Sequence, residues 1–268
     1  MVKRTITALI LLAFGMPALL FGGVLFFIFL GFFILAAAYE YTRLFRAMKI
    51  EPSTWITVGG VFLILVTRDF YPEFSGGMFA ILLLVALGYH AISYERGRDK
   101  AALDFAATAA GLAYLGWVGA YLLDLRNLPD GGWWVFLVLP SIWMADSGAY
   151  SIGAAYGRHK MSPRLSPNKS WEGYWAGVFT GTLYGGFFAF AYSTWGPLDI
   201  SIWQGAGLGL VLSVVAPLGD LGESLFKRPA GIKDSGSLIP GHGGAFDRLD
   251  AWLWAAVIGY YYIQWFLI

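Results

Sequence analysis

Long runs of apolar residues, broken by short polar segments rich in arginine and lysine, dominate this chain. Each run is close to the roughly 20 residues that an α-helix needs to cross the hydrocarbon core of a bilayer. The pattern places spans at 5–21, 23–39, 54–68, 76–93, 102–123, 132–153, 172–193, 203–222 and 247–267. The fold class that follows is all-α, a polytopic helical membrane protein with about nine transmembrane helices. Only Gly22 and Gly23 separate the first two runs, so they read as a tight hairpin or, fused, as one long helix. Lys3 and Arg4 ahead of an apolar run also mimic a secretory leader. A second apolar run follows at once without a convincing small-residue cleavage site, so cleavage is not expected. A division into 1–100, carrying spans 1–4, and 101–268, carrying spans 5–9, sets the N-terminal helices apart from those with most of the polar chemistry.

The polar segments decide the orientation. Lys3 and Arg4, then Arg43, Arg46 and Lys49, then Arg96, Arg98 and Lys100 fall on alternate connections. So do Arg158, Lys160, Arg164 and Lys169, and then Lys227, Arg228, Lys233 and Arg248. These are 16 of the 18 basic residues, and only Arg68 and Arg126 lie on the other connections. Positive loops stay in the cytoplasm. The expected topology is N-terminus in and C-terminus out, in a bacterial inner membrane. Fusing the first two spans would move Lys3 and Arg4 to the sparse side, so the split favours nine over eight.

Composition supports this reading and narrows it. The chain is 58% hydrophobic and only 13% charged, about half the charged share of a soluble domain. The 12 Trp and 15 Tyr suit rings at the two bilayer interfaces. No Cys is present, which excludes disulfides and thiolate metal sites. The net charge of +1 carries no sign of a nucleic-acid partner, and none is expected. In span 7, Gly173, Gly177, Gly181 and Gly185 recur every fourth residue and make a smooth ridge for close helix approach. Packing within the chain is the plainer use of that ridge, and a homodimer the sharper one.

Ionisable residues within spans are costly and mark function. Asp146 lies near the end of span 6. Asp220, Glu223, Ser224 and Lys227 follow i, i+3, i+4 and i+7 at the end of span 8, which sets them on one helix face. Asp247 and Asp250 are i, i+3 at the start of span 9. A lone helix-end acid often does no more than cap or snorkel, but this concentration of acids and bases argues for a site. Between the two spans, the segment from Pro229 to Gly244 holds five glycines and two prolines, which rule out a helix through it. Its backbone N–H groups can converge on an anion, with Lys227, Arg228, Lys233 and Arg248 around it. Carboxylates beside cations and a glycine-rich backbone suit a metal–polyphosphate complex. His242 reads either as a phosphate contact or, slightly better, as a residue that holds the loop. No Walker P-loop occurs.

The 27 residues from Ser224 to Asp250, SLFKRPAGIKDSGSLIPGHGGAFDRLD, resemble the signature of phosphatidate cytidylyltransferases, or CDP-diacylglycerol synthases. Ala245 is a small departure, where a bulkier apolar residue is usual. The resemblance extends to Asp146–Tyr150 and to Ser166–Gly173. It implies the reaction of CTP with phosphatidic acid to give CDP-diacylglycerol and pyrophosphate. In that reading Asp220 and Asp247 are the first metal ligands, then Asp250, Glu223 and Asp146, for Mg²⁺ with a second cation as an option. Asp146 could instead orient a lysine. Lys227, Arg228, Lys233 and Arg248 hold the triphosphate and leaving group. Ser166 and Lys169 bind the lipid phosphate or nucleotide, with Ser224 and His242 as further substrate contacts. The partners are CTP, phosphatidic acid and the bilayer. An ion transporter, a polyprenol kinase and a CDP-alcohol phosphotransferase are weaker readings. The acids cluster at helix ends without an inverted repeat, the long match points elsewhere, and D-G-x-x-A-R is absent.

Overall fold

The protein is described from a computed structural model that covers residues 2–236, 238 and 243–268. The expected apolar runs are helices: α1 (Val2–Phe21), α2 (Gly23–Ala47), α3 (Thr54–Phe70), α4 (Pro72–Glu95), α5 (Ala101–Gly111), α6 (Tyr121–Asn127), α7 (Gly131–Tyr156), α8 (Trp171–Trp195), α9 (Ile202–Lys227) and α10 (Phe246–Phe266). A π-helical segment, Leu112–Val118, joins α5 to α6 into one rod. Gly22 and Gly23 adopt φ of +67° and +55°, the left-handed region open to glycine, and the chain breaks there between α1 and α2. Among the described residues, five helical stretches are long and apolar enough to cross a membrane: α2, α4, the Ala101–Asn127 rod, α7 and α9. The apolar side chains do not stop at the packed faces. On α2, Leu30, Ile34 and Ala37 are buried, while Leu25, Ile28 and Phe32 on the other face are exposed. A helix apolar on both faces is solvated by lipid rather than water.

The described residues form two compact units, 1–124 with 226–249, and 125–225 with 250–268. In the first unit, glycines let helices approach closely. A methyl group at Gly111 would lie 2.8 Å from Thr57 Cγ2 and 2.9 Å from Tyr41 Cε1. Tyr41 donates its hydroxyl to the Ala107 carbonyl at 2.9 Å. Arg68 on α3 grips Asp124 on α6 through Nε (2.9 Å) and Nη2 (2.7 Å). Its guanidinium also lies 4.6 Å from the Trp117 ring centre and 4.7 Å from that of Tyr121.

In the second unit, α7, α8 and α9 pack through the expected glycine ridge. A methyl group at Gly173 would meet the Ala149 carbonyl oxygen at 2.6 Å, and at Gly177 that of Ala145 at 2.7 Å. Gly181 abuts Ser213, and Gly185 abuts Gly205 and Gly209. The ridge is therefore occupied within the chain, and a dimer would have to use another face. The loop after α7 adds an element that the apolar pattern does not predict, an antiparallel hairpin of β1 (Lys160–Ser162) and β2 (Ser166–Ser170). The pairing is only two short strands, and it is braced from α8.

Candidate active site

The second unit carries the first group of site residues. Ser170, at the end of β2, caps α8 by accepting from the Gly173 N–H at 3.2 Å. Glu172, in the first turn of α8, accepts from the N–H groups of Arg158 and His159, each at 3.2 Å, and contacts His159 Nδ1 at 2.5 Å. These bonds fix the base of the hairpin, so Lys169 is held just ahead of a rigid helix end. Its ammonium pairs with the Asp220 carboxylate of α9. Asp250 of α10 accepts from the Ala251 N–H at 2.7 Å and lies within electrostatic reach of Asp220. Asp146 of α7 lies within the electrostatic reach of both Asp220 and Lys169. The sequence spacing alone separates these residues by up to about a hundred positions; the fold brings Asp146, Lys169, Asp220, Glu223 and Asp250 together.

A cleft of about 560 Å³ opens beside this group. Asp146, Lys169 and Asp220 line it, together with Lys160 and Asn168. The rest of its wall comes from α7, α8, α9 and the hairpin, with alanine and glycine alongside Tyr150, Tyr174 and Ser213. Lys160 and Asn168 were not singled out by the sequence reading. Their signal was there: Lys160 belongs to a basic loop, and Asn168 lies beside Lys169 in the Ser166–Gly173 stretch. Ser166 is half-buried at the start of β2, where it pairs with Ser162. Ser224 is half-buried on α9.

The first unit carries the second group. The α9 helix ends in a Schellman turn, with Ile232 N–H on the Lys227 carbonyl (3.2 Å) and Gly231 N–H on that of Arg228 (3.1 Å). Gly231 supplies the left-handed residue at φ +69° that such an ending requires. Asp247 is buried and accepts four bonds. Lys227 Nζ (2.8 Å) and Ser235 N–H (3.1 Å) reach Oδ1; Ser235 N–H (2.9 Å) and Gly244 N–H (2.7 Å) reach Oδ2. The Gly244 bond is the acid half of a capping box at the start of α10. Loop amides do converge on an anion, as the glycine content suggested, and in the described residues that anion is the chain's own Asp247. Arg228, Lys233 and Arg248 are exposed around it. Ala245 is fully buried. His242 lies outside the described residues.

Glu40 is a further residue that the sequence reading did not single out. It sits on α2, only 5% exposed, and accepts from Ser235 Oγ at 2.8 Å and Phe246 N–H at 3.0 Å. An acid at the polar end of an otherwise apolar helix was its only signal.

The donor chemistry in the second unit suits a hard cation. Asp220 pairs with Lys169 and shares its cleft with Asp146, while Glu223 and Asp250 lie on the same two helix ends, so several carboxyl oxygens are gathered in this unit. Oxygen donors of this kind are what Mg²⁺ takes. Among the described residues, no three acid or imidazole donors are already arranged as a metal cage.

A helical chain with long apolar spans and an acid- and lysine-lined cleft has the features of a helical membrane enzyme. Residues 2–266 match the cytidylyltransferase family across its length, and the chain belongs to that family. It is similar to the phosphatidate cytidylyltransferase of Synechocystis sp., at 32% identity over 97% of this chain and 96% of the relative. The protein of the same name from Staphylococcus aureus is 30% identical over 93% and 94% of the two chains. That of Mycobacterium leprae is 31% identical over 85% and 76%.

Proposed function

We propose that this chain is a CTP:phosphatidate cytidylyltransferase, which joins CTP to phosphatidic acid and releases pyrophosphate. The observation that carries the reading is the cleft, lined by Asp146, Lys160 and the paired Lys169 and Asp220 as well as by small apolar residues of α7, α8 and α9. Such a cleft suits a molecule with a phosphate head and acyl chains. A phosphate oxygen of the lipid attacks the α-phosphorus of CTP. The new P–O bond forms as the bond to the bridging oxygen breaks, and pyrophosphate carries that electron pair away. Phosphatidate is already anionic, so no strong general base is needed. The work left to the protein is in-line placement and charge neutralisation.

Asp220, Asp250, Glu223 and Asp146 would hold Mg²⁺ in the second unit. Asp247, in the first unit, is already engaged through both oxygens, and a metal could take it only if Lys227 gave way. When bound, the ion draws charge from phosphate oxygens. Lys169, with Ser166 and Ser224, would orient the lipid phosphate or nucleotide; Lys227, Arg228, Lys233 and Arg248 would take the triphosphate and the departing pyrophosphate. Nine spans, with the N-terminus and the basic loops in the cytoplasm, would put these groups where CTP is dissolved.

The test is purified protein in detergent with phosphatidate and labelled CTP, with and without Mg²⁺. One CDP-diacylglycerol and one pyrophosphate per CTP consumed, dependent on Mg²⁺, is the expected result. No pyrophosphate under any condition would overturn the reading, and would reopen transport as the alternative.

A further inference from the structure

We infer that Glu40 is a positioning residue for this reaction, acting through the segment that presents Asp247; the inference rests on the proposed activity. Its carboxylate holds both ends of that segment. Oε2 accepts from Ser235 Oγ before the glycine-rich stretch and from Phe246 N–H after it. These donors lie 195 and 206 positions along the chain from Glu40. Ser235 is shared between two acids, its hydroxyl on Glu40 and its N–H on Asp247. Phe246 is the immediate neighbour of Asp247. A shift of the Glu40 carboxylate therefore moves Asp247 from two sides.

Gly236 and Gly244 leave room for this carboxylate. A methyl group at Gly236 would strike the Glu40 carboxyl group, and the three nearest atoms it would meet all belong to that side chain. One at Gly244 would strike Glu40 Oε2 and Ser235 Oγ. Neither glycine has the positive φ that would demand glycine for the backbone's sake. The space reserved at both positions is for Glu40. Burying a carboxylate is costly unless its bonds are made, and charge-assisted bonds to a hydroxyl and an amide fix geometry more firmly than neutral ones. Phe246 adds the apolar side of the clasp. It is fully buried and packs edge-on to Tyr41, the neighbour of Glu40, with ring centres 6.2 Å apart.

Four variants test this in purified enzyme: Glu40→Ala, Glu40→Gln, Gly236→Ala, and the double variant Glu40→Ala with Gly236→Ala. Readouts are kcat and KM for CTP, normalised to folded protein, and the melting temperature. Glu40→Ala should lower kcat about ten- to a hundredfold with a smaller change in KM, as expected for misplacement of a catalytic group. Glu40→Gln should stay close to wild type, because its amide oxygen can take the place of Oε2 and accept both bonds. Gly236→Ala should lower kcat in the wild-type background and cost nothing further when Glu40 is already alanine, since the atoms it strikes are gone. Wild-type kcat in Glu40→Ala or Gly236→Ala, or multiplicative losses in the double variant, would overturn the inference. A lower melting temperature with unchanged kcat would do the same, leaving Glu40 purely structural. If Glu40→Ala does not fold, Gly236→Ala against Glu40→Gln decides. Wild-type protein without CDP-diacylglycerol formation would instead sink the proposed reaction, a result distinct from all of these.

Discussion

Lys227 and Asp247, on either side of the glycine-rich segment, form an ion pair at 2.8 Å in which the two side chains are only 13% and 5% exposed. Ser235 and Gly244 add their N–H groups, so both carboxylate oxygens are engaged. Asn at this position keeps one acceptor and turns an amide N–H₂ toward a donor. Asp247→Asn is expected to abolish turnover while the protein still inserts. Near-normal CDP-diacylglycerol synthesis by this variant would remove Asp247 from the machinery.

Asp220→Asn takes the partner from Lys169 and a carboxylate from the acid group. The expected outcome is loss of activity that added Mg²⁺ does not restore. A titration with Mg²⁺ that recovers wild-type turnover would show that Asp220 contributes affinity for the ion and nothing more.

The exposed cations Arg228, Lys233 and Arg248 should serve phosphate rather than topology alone. Arginine offers a planar fork and lysine a point charge. Arg228→Lys, Arg248→Lys and Lys233→Ala should each lose about 1.5–3 kcal/mol of binding, roughly ten- to a hundredfold in kcat/KM for CTP. Wild-type constants in all three, measured on membranes with matched protein levels, would leave these residues as topology markers.

Arg68 provides a contrast, since none of its contacts is with the acid group or the loop cations. Arg68→Ala leaves Asp124, whose side chain is 15% exposed, without its partner, and removes two ring contacts. Breaking a buried pair on one side costs about 3–5 kcal/mol. Thermal unfolding in detergent should show a clearly lower midpoint, with turnover per folded molecule unchanged. A fall in turnover without a fall in midpoint would mean that Arg68 acts on the reaction.

The 16-to-2 division of basic residues predicts that a reporter fused after Ile268 reads as outside the cytoplasm. A cytoplasmic reading would mean that the number of crossings is even or that the orientation is reversed.

The helices were legible in the sequence because lipid imposes a simple rule: apolar for about 20 residues, then polar. The Gly22–Gly23 break was legible too, since paired glycines end a helix cheaply. Asp146, Asp220, Glu223 and Asp250 stood out because charge near a bilayer core is costly, and Lys169 because it lies in a basic loop within the stretch that resembles the family. Their pairing did not. Nothing in the spacing says that Lys169 meets Asp220, because that contact depends on a hairpin only eleven residues long, from Lys160 to Ser170. The hairpin itself has no clean alternation and two prolines. Glu40 was invisible for another reason. Its partners are a hydroxyl and a backbone N–H, groups every stretch of chain possesses, so no pattern of residue types points to them.

The glycine ridge of α8 has a mechanical consequence. At Gly173 and Gly177 the neighbouring helix touches backbone directly, with Ala149 and Ala145 carbonyl oxygens where side chains would otherwise interleave. Both glycines also line the cleft. Side chains can change rotamer and so widen or narrow a gap; peptide groups in a hydrogen-bonded helix cannot. This wall behaves as a fixed gauge, and any molecule that enters must adapt its own shape to it.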